Sequence, residues 1–252
     1  MSIYIKSPKE IEGIRSAAKI VAKTLDYIQN KVIPEVSLLE IEQYCADFII
    51  SHNAIPAFKG YHGFPASVCI SVNNEVVHGI PNGRKIKPSD IVKVDVGVYK
   101  DNFFADGART FPVGEVNGNI KKLIETTEQS LYLGIDKARP GNHVGDISVT
   151  IQKYVENNGF SVVRELSGHG VGIELHEEPM IPNYGVASKG VMLKNGMTLA
   201  IEPMVNMGSF EILTEKNNWT VVTKDGQPSA HFEHTILVTD GKPEILTRTA
   251  SG

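Results

Sequence analysis

An α+β domain with an internal pseudo-twofold is the fold class that this 252-residue sequence predicts, on three observations. Two amphipathic helical segments precede a strand region rich in valine and isoleucine, and that order occurs twice along the chain. Short stretches recur in the same order: Pro34 with Glu40-Ile41 returns as Pro140 with Asp146-Ile147, a shift of 106. The run Ile86 to Asp95 returns as Leu193 to Glu202, a shift of 107. His78-Gly79-Ile80-Pro81 is matched by His176-Glu177-Glu178-Pro179 at the different shift of 98. No low-complexity linker divides the sequence, so residues 1–252 read as one domain.

Each element has a local signal. Ser7-Pro8-Lys9-Glu10 is a capping box with proline at the first helical position, and Ile11, Ile14, Ala18, Val21, Leu25 and Ile28 follow at helical spacing to about Asn30. Ser37-Leu38-Leu39-Glu40 repeats the box ahead of Ile41, Tyr44, Cys45 and Phe48. From Ala66 to Tyr99 the pattern is β-like. A third helix is expected over Ile120 to Ala138, stopped by Arg139-Pro140-Gly141, and a fourth over Val144 to Asn158, with Gly159 as its C-terminal cap. The remainder reads as strand and loop.

Composition narrows the function classes. Hydrophobic residues at 41% and charged residues at 21% exclude a disordered or fibrous chain. With 25 basic and 29 acidic residues the net charge is −4, so no global basic field points to nucleic acid. Cys45 and Cys69 are too few for a disulfide framework or a thiolate zinc site and suit a reducing compartment. The first ten residues are too charged for a signal peptide and no run is long enough to span a membrane, so a soluble, cytosolic protein is expected. There is no Walker A pattern, no G-x-G-x-x-G after a strand and no G-x-S-x-G elbow. Arg84-Lys85-Ile86-Lys87 reads as a solvated turn.

Chemistry concentrates in a few acids and histidines. A two-residue loop at Asp101-Asn102 pairs Gly97 with Asp106 and makes Asp95 and Asp106 diagonal neighbours on one face; closing the loop one residue earlier makes them direct partners. Either register gathers two negative charges on an apolar ribbon, which is costly without a cation. The plainer alternative is one carboxylate bonded in the turn and the other in solvent. Glu202 follows Thr198-Leu199-Ala200-Ile201, and Glu233 lies inside the apolar run Ser229 to Val238, where a salt bridge is the plainer reading for either alone. Four acids in comparable strand settings, with one or two imidazoles, match the oxygen-rich donor set of a pair of divalent ions. His169, in Gly168-His169-Gly170, is expected on a tight glycine-lined segment, with His176 seven residues later. His52, His62, His143, His231 and His234 have no comparable setting and are read mostly as solvated or structural.

Taken in order, His78-Gly79-Ile80-Pro81, Asp95, Asp106, Gly168-His169-Gly170, His176-Glu177-Glu178-Pro179, Ile201-Glu202-Pro203-Met204 and Glu233-His234-Thr235 resemble the type I methionine aminopeptidases. The resemblance runs from Ser7 to about Val238 and implies the pita-bread α+β fold, whose pseudo-twofold agrees with the duplication. It implies that Asp95, Asp106, His169, Glu202 and Glu233 hold two divalent metal ions, with Asp106 and Glu233 bridging. The metal is open among cobalt, manganese, iron, nickel and zinc. The reaction implied is removal of the N-terminal methionine from nascent proteins and peptides, with a small second residue preferred. Glu202 is implied as general base and proton shuttle, and His78 and His176 as contacts to the scissile peptide. The methionine pocket maps onto Tyr61, Phe64, Cys69, His78 and Trp219, with Leu175 completing the wall and His176 beside it. A monomer, with no nucleic-acid or membrane partner, is also implied.

Three positions depart from well-known bacterial members: Phe64, Val77 and Leu175 stand where tyrosine, cysteine and phenylalanine are usual. The spacing of 31 from Glu202 to Glu233 leaves no room for the helical insertion of type II enzymes. A proline-specific peptidase of the same fold is the nearest enzymatic alternative, and it carries an additional N-terminal domain. A binding module without catalysis is the other; loss of a metal ligand would mark it, and all five are present.

Overall fold

Ser7 and Ser37 start the first two helices as their spacing predicts. Each hydroxyl accepts the backbone N–H three residues on, and Glu10 and Glu40 each reach back to the serine N–H. Helix α1 (Pro8–Ile28) buries Ile14, Ala18, Val21, Leu25 and Ile28 on one stripe, and α2 (Leu38–Ser51) buries Ile41, Cys45 and Ile49. Helix α3 (Gly118–Ile135) starts earlier than its apolar spacing indicates, because the Asn117 side chain caps the Ile120 N–H. It also stops short of Ala138, whose N–H turns back to Ile135 in a tighter bond. Helix α4 (Val144–Asn157) ends before Gly159, whose φ of +87° is the left-handed exit that glycine favours. The computed structural model describes residues 3–249.

The first half supplies β1 (Ile55–Pro56), β2 (Cys69–Val72), β3 (Glu75–Val77), β4 (Ile91–Lys100) and β5 (Phe103–Pro112). The second supplies β6 (Ser161–Val162), β7 (Ser167–Gly170), β8 (Glu177–Pro182), β9 (Thr198–Ile201), β10 (Met204–Asn206), β11 (Ile212–Thr214), β12 (Val221–Thr223), β13 (Ser229–His231), β14 (His234–Leu237) and β15 (Glu244–Ile245). One sheet runs β1-β4-β2 with β5 on β4, and the largest runs β15-β14-β9-β7-β8. Smaller sheets run β13-β10-β6 and β11-β12-β3. The last crosses the halves, because β12 pairs with β3.

The duplication is visible bond by bond. Glu35 N–H donates to Ile86 O and Ile86 N–H to Val36 O; Gly141 N–H donates to Leu193 O and Leu193 N–H to Asn142 O. Strand β1 sets Ile55 opposite Tyr99 on β4, and β6 sets Ser161 opposite Asn206 on β10. These pairs are related by the shifts of 106 and 107 read from the sequence. The shift of 98 has its own place: Ser71 opposes Lys93, and His169 opposes Ala200. It belongs to β2 and β7, which carry the chain on to His78 and His176.

Each half has its own buried cluster, with Ile14, Leu25, Val92 and Val96 in the first and Ile147, Leu199, Ile201 and Ile236 in the second. Burial of one such side chain stabilises by about 1.5–3 kcal/mol, so neither half depends on any single residue. A third cluster of Phe58, Phe64, Ala66, Cys69 and Leu175 draws on both halves. Among the described residues no helix is long and apolar enough to cross a membrane.

Candidate metal centre and substrate cavity

The β4–β5 hairpin fixes the first two acids. Asp101 and Asn102 take φ of +50° and +71°, as a two-residue primed turn requires, and Lys100 faces Phe103 across it. Gly97 therefore opposes Asp106, and Asp95 opposes Ala108, which makes the carboxylates diagonal neighbours on one face. This is the first of the two registers compatible with the sequence. Asp106 is buried, and its Oδ1 accepts the Gly107 N–H at 2.9 Å.

Glu202 and Glu233 correct the expectation of a simple strand setting. Each sits at a break, Glu202 between β9 and β10 and Glu233 between β13 and β14, where the chain passes between two sheets. Pro203 has no N–H, so the ladder cannot run on through that point. Glu233 instead exchanges backbone bonds with Ala108, donating at 2.9 Å and accepting at 3.3 Å. A second-half glutamate is thus delivered beside the first-half aspartates.

His169 lies in β7, an interior strand between β8 and β9, and not in a turn. Its flanking glycines are explained by backbone approach. A Cβ on Gly168 would stand 2.3 Å from the Ala200 oxygen, and one on Gly170 2.5 Å from the Glu178 oxygen. His169 Nδ1 lies 2.8 Å from the Gly170 oxygen and so carries the proton. Its Nε2 faces Glu202 Oε1 at 3.7 Å and Asp106 Oδ2 at 3.9 Å.

Asp106, His169 and Glu233 bring one ligand atom each to within 4.8 Å of one another. Asp95 Oδ1 and Glu233 Oε1 are buried without a hydrogen-bond partner. Burial pushes Asp106 up to about 7, against hydrogen bonds from Asp95 and Gly107 that pull it down. Asp95, Glu202 and Glu233 are raised well above the carboxylate range, by burial first and by the neighbouring acids second. Burial holds His169 neutral, at about 3. Crowded buried acids with unpartnered oxygens beside a neutral imidazole fit a divalent cation bound by oxygen and nitrogen.

The acids open onto a cavity of about 250 Å³. Phe58, Tyr61, Phe64, Cys69 and Trp219 give it an apolar lining, and His78 and His176 line it together with the five acid and imidazole groups. Phe64 meets Trp219 edge to face, ring centroids 5.2 Å apart. The Tyr61 hydroxyl lies 2.8 Å from His176 Nδ1 and orients that ring. His78 takes φ of +57°, a strained backbone of the kind found at functional positions. A second space of about 380 Å³, walled by Val77, Leu166, Met180 and Met204, shares His78, His169, His176 and Glu202 with the first. A larger one, about 780 Å³ beside Asp26, Arg109, Glu128 and Tyr132, contains none of the clustered acids.

Eleven of the twelve site residues expected from sequence line the smallest of these three cavities. Leu175 is the exception: it packs with Phe58, Phe64 and Cys69 behind the wall. Sequence reading missed Phe58 and His62, which also line the cavity, and His231. His231 is buried, with Nε2 3.4 Å from Glu202 Oε2. Extending the duplication to the outer strands would have found it, since Gly97 faces Asp106 where Met204 faces His231.

A model of metallopeptidase family M24 matches residues 12–240. Methionine aminopeptidase 1 of Bacillus subtilis is 51% identical over 98% of this chain and 99% of its own length. Methionine aminopeptidase of Escherichia coli is 48% identical over 98% and 94%. The crystal structure of methionine aminopeptidase from Thermotoga maritima superposes with a TM-score of 0.97 at 45% identity, covering 98% of this chain and 100% of that one. Prolidase from Pyrococcus furiosus shares the fold at 24% identity, TM-score 0.80, over 97% of this chain and 65% of its own. The fold is the pita-bread α+β fold.

Proposed function

The chain belongs to metallopeptidase family M24, and we infer that it is a divalent-metal hydrolase that removes the N-terminal methionine from nascent proteins and peptides. The observation that carries this is one cavity lined both by a cation-fitted acid cluster and by an adjoining aromatic and sulfur surface. The full-length similarity to methionine aminopeptidases supplies the substrate. Asp95, Asp106, His169, Glu202 and Glu233 are the residues that would hold the metal, and we take the number of ions as two. Cobalt, manganese, iron, nickel and zinc all suit these donors. Bound divalent ions polarise the scissile carbonyl and make a water nucleophilic at neutral pH.

The chain's own groups do the rest. Glu202 lies where the two smaller cavities meet, so its carboxylate takes the proton of the attacking water and passes it to the departing amine. His78 and His176 flank the same junction and donate to the negative charge that develops on the peptide oxygen. The methionine side chain packs against the apolar lining of Phe64, Cys69, Tyr61 and Trp219. The second residue lies toward Val77 and Met204, both buried, which favours a small side chain. The two halves act as one catalytic domain over residues 1–252, since the ligand set is drawn from both. We take the protein to act as a monomer in the cytoplasm, and its two buried free thiols suit that reducing compartment.

The test is release of the first residue from Met-Ala-Ser, Met-Leu-Ser and Ala-Pro-Ala by protein reconstituted with manganese, iron or cobalt. Metal-dependent release from Met-Ala-Ser alone is expected. Cleavage of Ala-Pro-Ala alone would move the activity to proline-specific hydrolysis.

A further inference from the structure

His231 has no place in the chemistry described so far, yet it is buried against Glu202. It is 1% exposed and lines neither cavity that meets at Glu202. Neither ring nitrogen has a hydrogen-bond partner among the described residues. A buried imidazole left bare at both nitrogens is costly, so a partner for its N–H is to be sought nearby. Glu202 Oε2 stands 3.4 Å from Nε2, just outside hydrogen-bond geometry.

The duplication makes that neighbour more than incidental. Thr235 Oγ1 accepts the Asp106 N–H and donates to the Asp106 carbonyl; Thr110 Oγ1 does the same for His231. Each threonine lies in the opposite half, so His231 and Asp106 are counterparts held by counterparts. Asp95 and Glu202 are likewise counterparts, 107 positions apart. In the first half Asp106 shares a hydrogen bond with Asp95. In the second half an imidazole stands in the place of the partner acid.

We propose that His231 is a positioning residue for Glu202, its Nε2–H donating to Oε2 and holding the carboxylate with Oε1 turned toward His169 and the reacting water. Nδ1 then carries the ring's lone pair. Asn183 fixes the backbone of the same residue, its side-chain amide donating to the Glu202 carbonyl at 2.9 Å. Backbone and carboxylate are thus each held by a buried side chain that touches no substrate. Bonds of this kind commonly lengthen in the resting site and tighten when the carboxylate is working.

The inference rests on the hydrolase reading, and its test separates the two. His231→Gln places an amide N–H at the reach of Nε2, whereas His231→Asn carries the same amide one methylene short, and His231→Met fills the space with no donor. Each variant and the parent protein are stripped of metal, checked by thermal melting, titrated with manganese by calorimetry and assayed on Met-Ala-Ser. Expected for Asn and Met is a kcat lower by about 10- to 100-fold and a manganese affinity reduced over the same range, with KM little changed, while Gln restores both. Asn or Met variants that match the parent in kcat and manganese affinity would overturn the proposal. So would a folded Gln variant as impaired as Asn. If Met unfolds, the Gln–Asn contrast decides. If the parent cleaves nothing, the hydrolase reading fails, and the calorimetric contrast alone judges whether His231 holds Glu202.

Discussion

Lys6 and Glu177, 171 residues apart in sequence, form an ion pair whose ammonium is buried and whose carboxylate is largely so. The other oxygen of Glu177 accepts the N–H groups of Ile173 at 2.6 Å and Glu174 at 3.0 Å. The segment ahead of α1 thereby holds the turn that presents Leu175 and His176. Lys6→Met leaves a largely buried carboxylate without its cation and should cost about 2–4 kcal/mol of stability, between a surface and a fully buried pair, measured by urea unfolding. A loss below about 1 kcal/mol would mean that the pair behaves like a surface one.

Metal-free protein should lose stability as pH rises above neutrality. Groups held raised, namely Asp95, Asp106, Glu202 and Glu233, keep protons in the folded state that the unfolded chain has released, so they destabilise as pH climbs to their folded values. His169 and His231, depressed to about 3, act oppositely, but only up to their unfolded value near 6.5. Above that the acids dominate: the Asp106 contribution is complete at about 7, while Asp95, Glu202 and Glu233 go on destabilising beyond it. Lys93, pushed down to about 7 by burial, opposes them as one group against three. Thermal melting of chelated protein should fall through this range, and manganese should flatten the fall. A melting point that rises with pH in chelated protein would contradict this account of the cluster.

His176 is oriented by Tyr61 and lines both of the smaller cavities, where the proposed reaction would develop charge on the peptide. His176→Ala should lower kcat for Met-Ala-Ser by about 10²- to 10³-fold, with a smaller effect on KM. Steady-state kinetics separates this from lost binding, which would raise KM alone.

Phe64 meets Trp219 edge to face in the recess proposed to hold the methionine side chain. Phe64→Leu keeps an apolar side chain but removes that contact, and KM for Met-Ala-Ser should rise about tenfold with kcat little changed. An equal fall in kcat would show that the ring helps to position the scissile bond as well.

Much of this was legible because the governing interactions are local. Serine three residues ahead of glutamate set the starts of α1 and α2, and Asp101-Asn102 set the hairpin register that brings Asp95 and Asp106 to one face. The carboxylate-terminated repeat at a shift of 107 found the counterparts Asp95 and Glu202 without any knowledge of pairing. What escaped depends on contacts between the halves. Glu233 reads as one residue in a continuous apolar run, and only its backbone exchange with Ala108 reveals the break. His169 reads as a loop residue until its glycines are seen against the oxygens of Ala200 and Glu178. His231 reads as structural, since a histidine's role is set by what faces it, and the oxygen facing it belongs to a residue 29 positions away.

The most direct measurement is methionine release from Met-Ala-Ser by protein stripped with a chelator, before and after manganese is restored, beside Asp106→Asn and Glu233→Gln. The parent protein should be inactive when stripped and recover with metal, while both variants stay folded, bind manganese weakly and remain inactive. Full turnover in the stripped parent, or full recovery in both variants, would contradict a metal-dependent site built on these carboxylates.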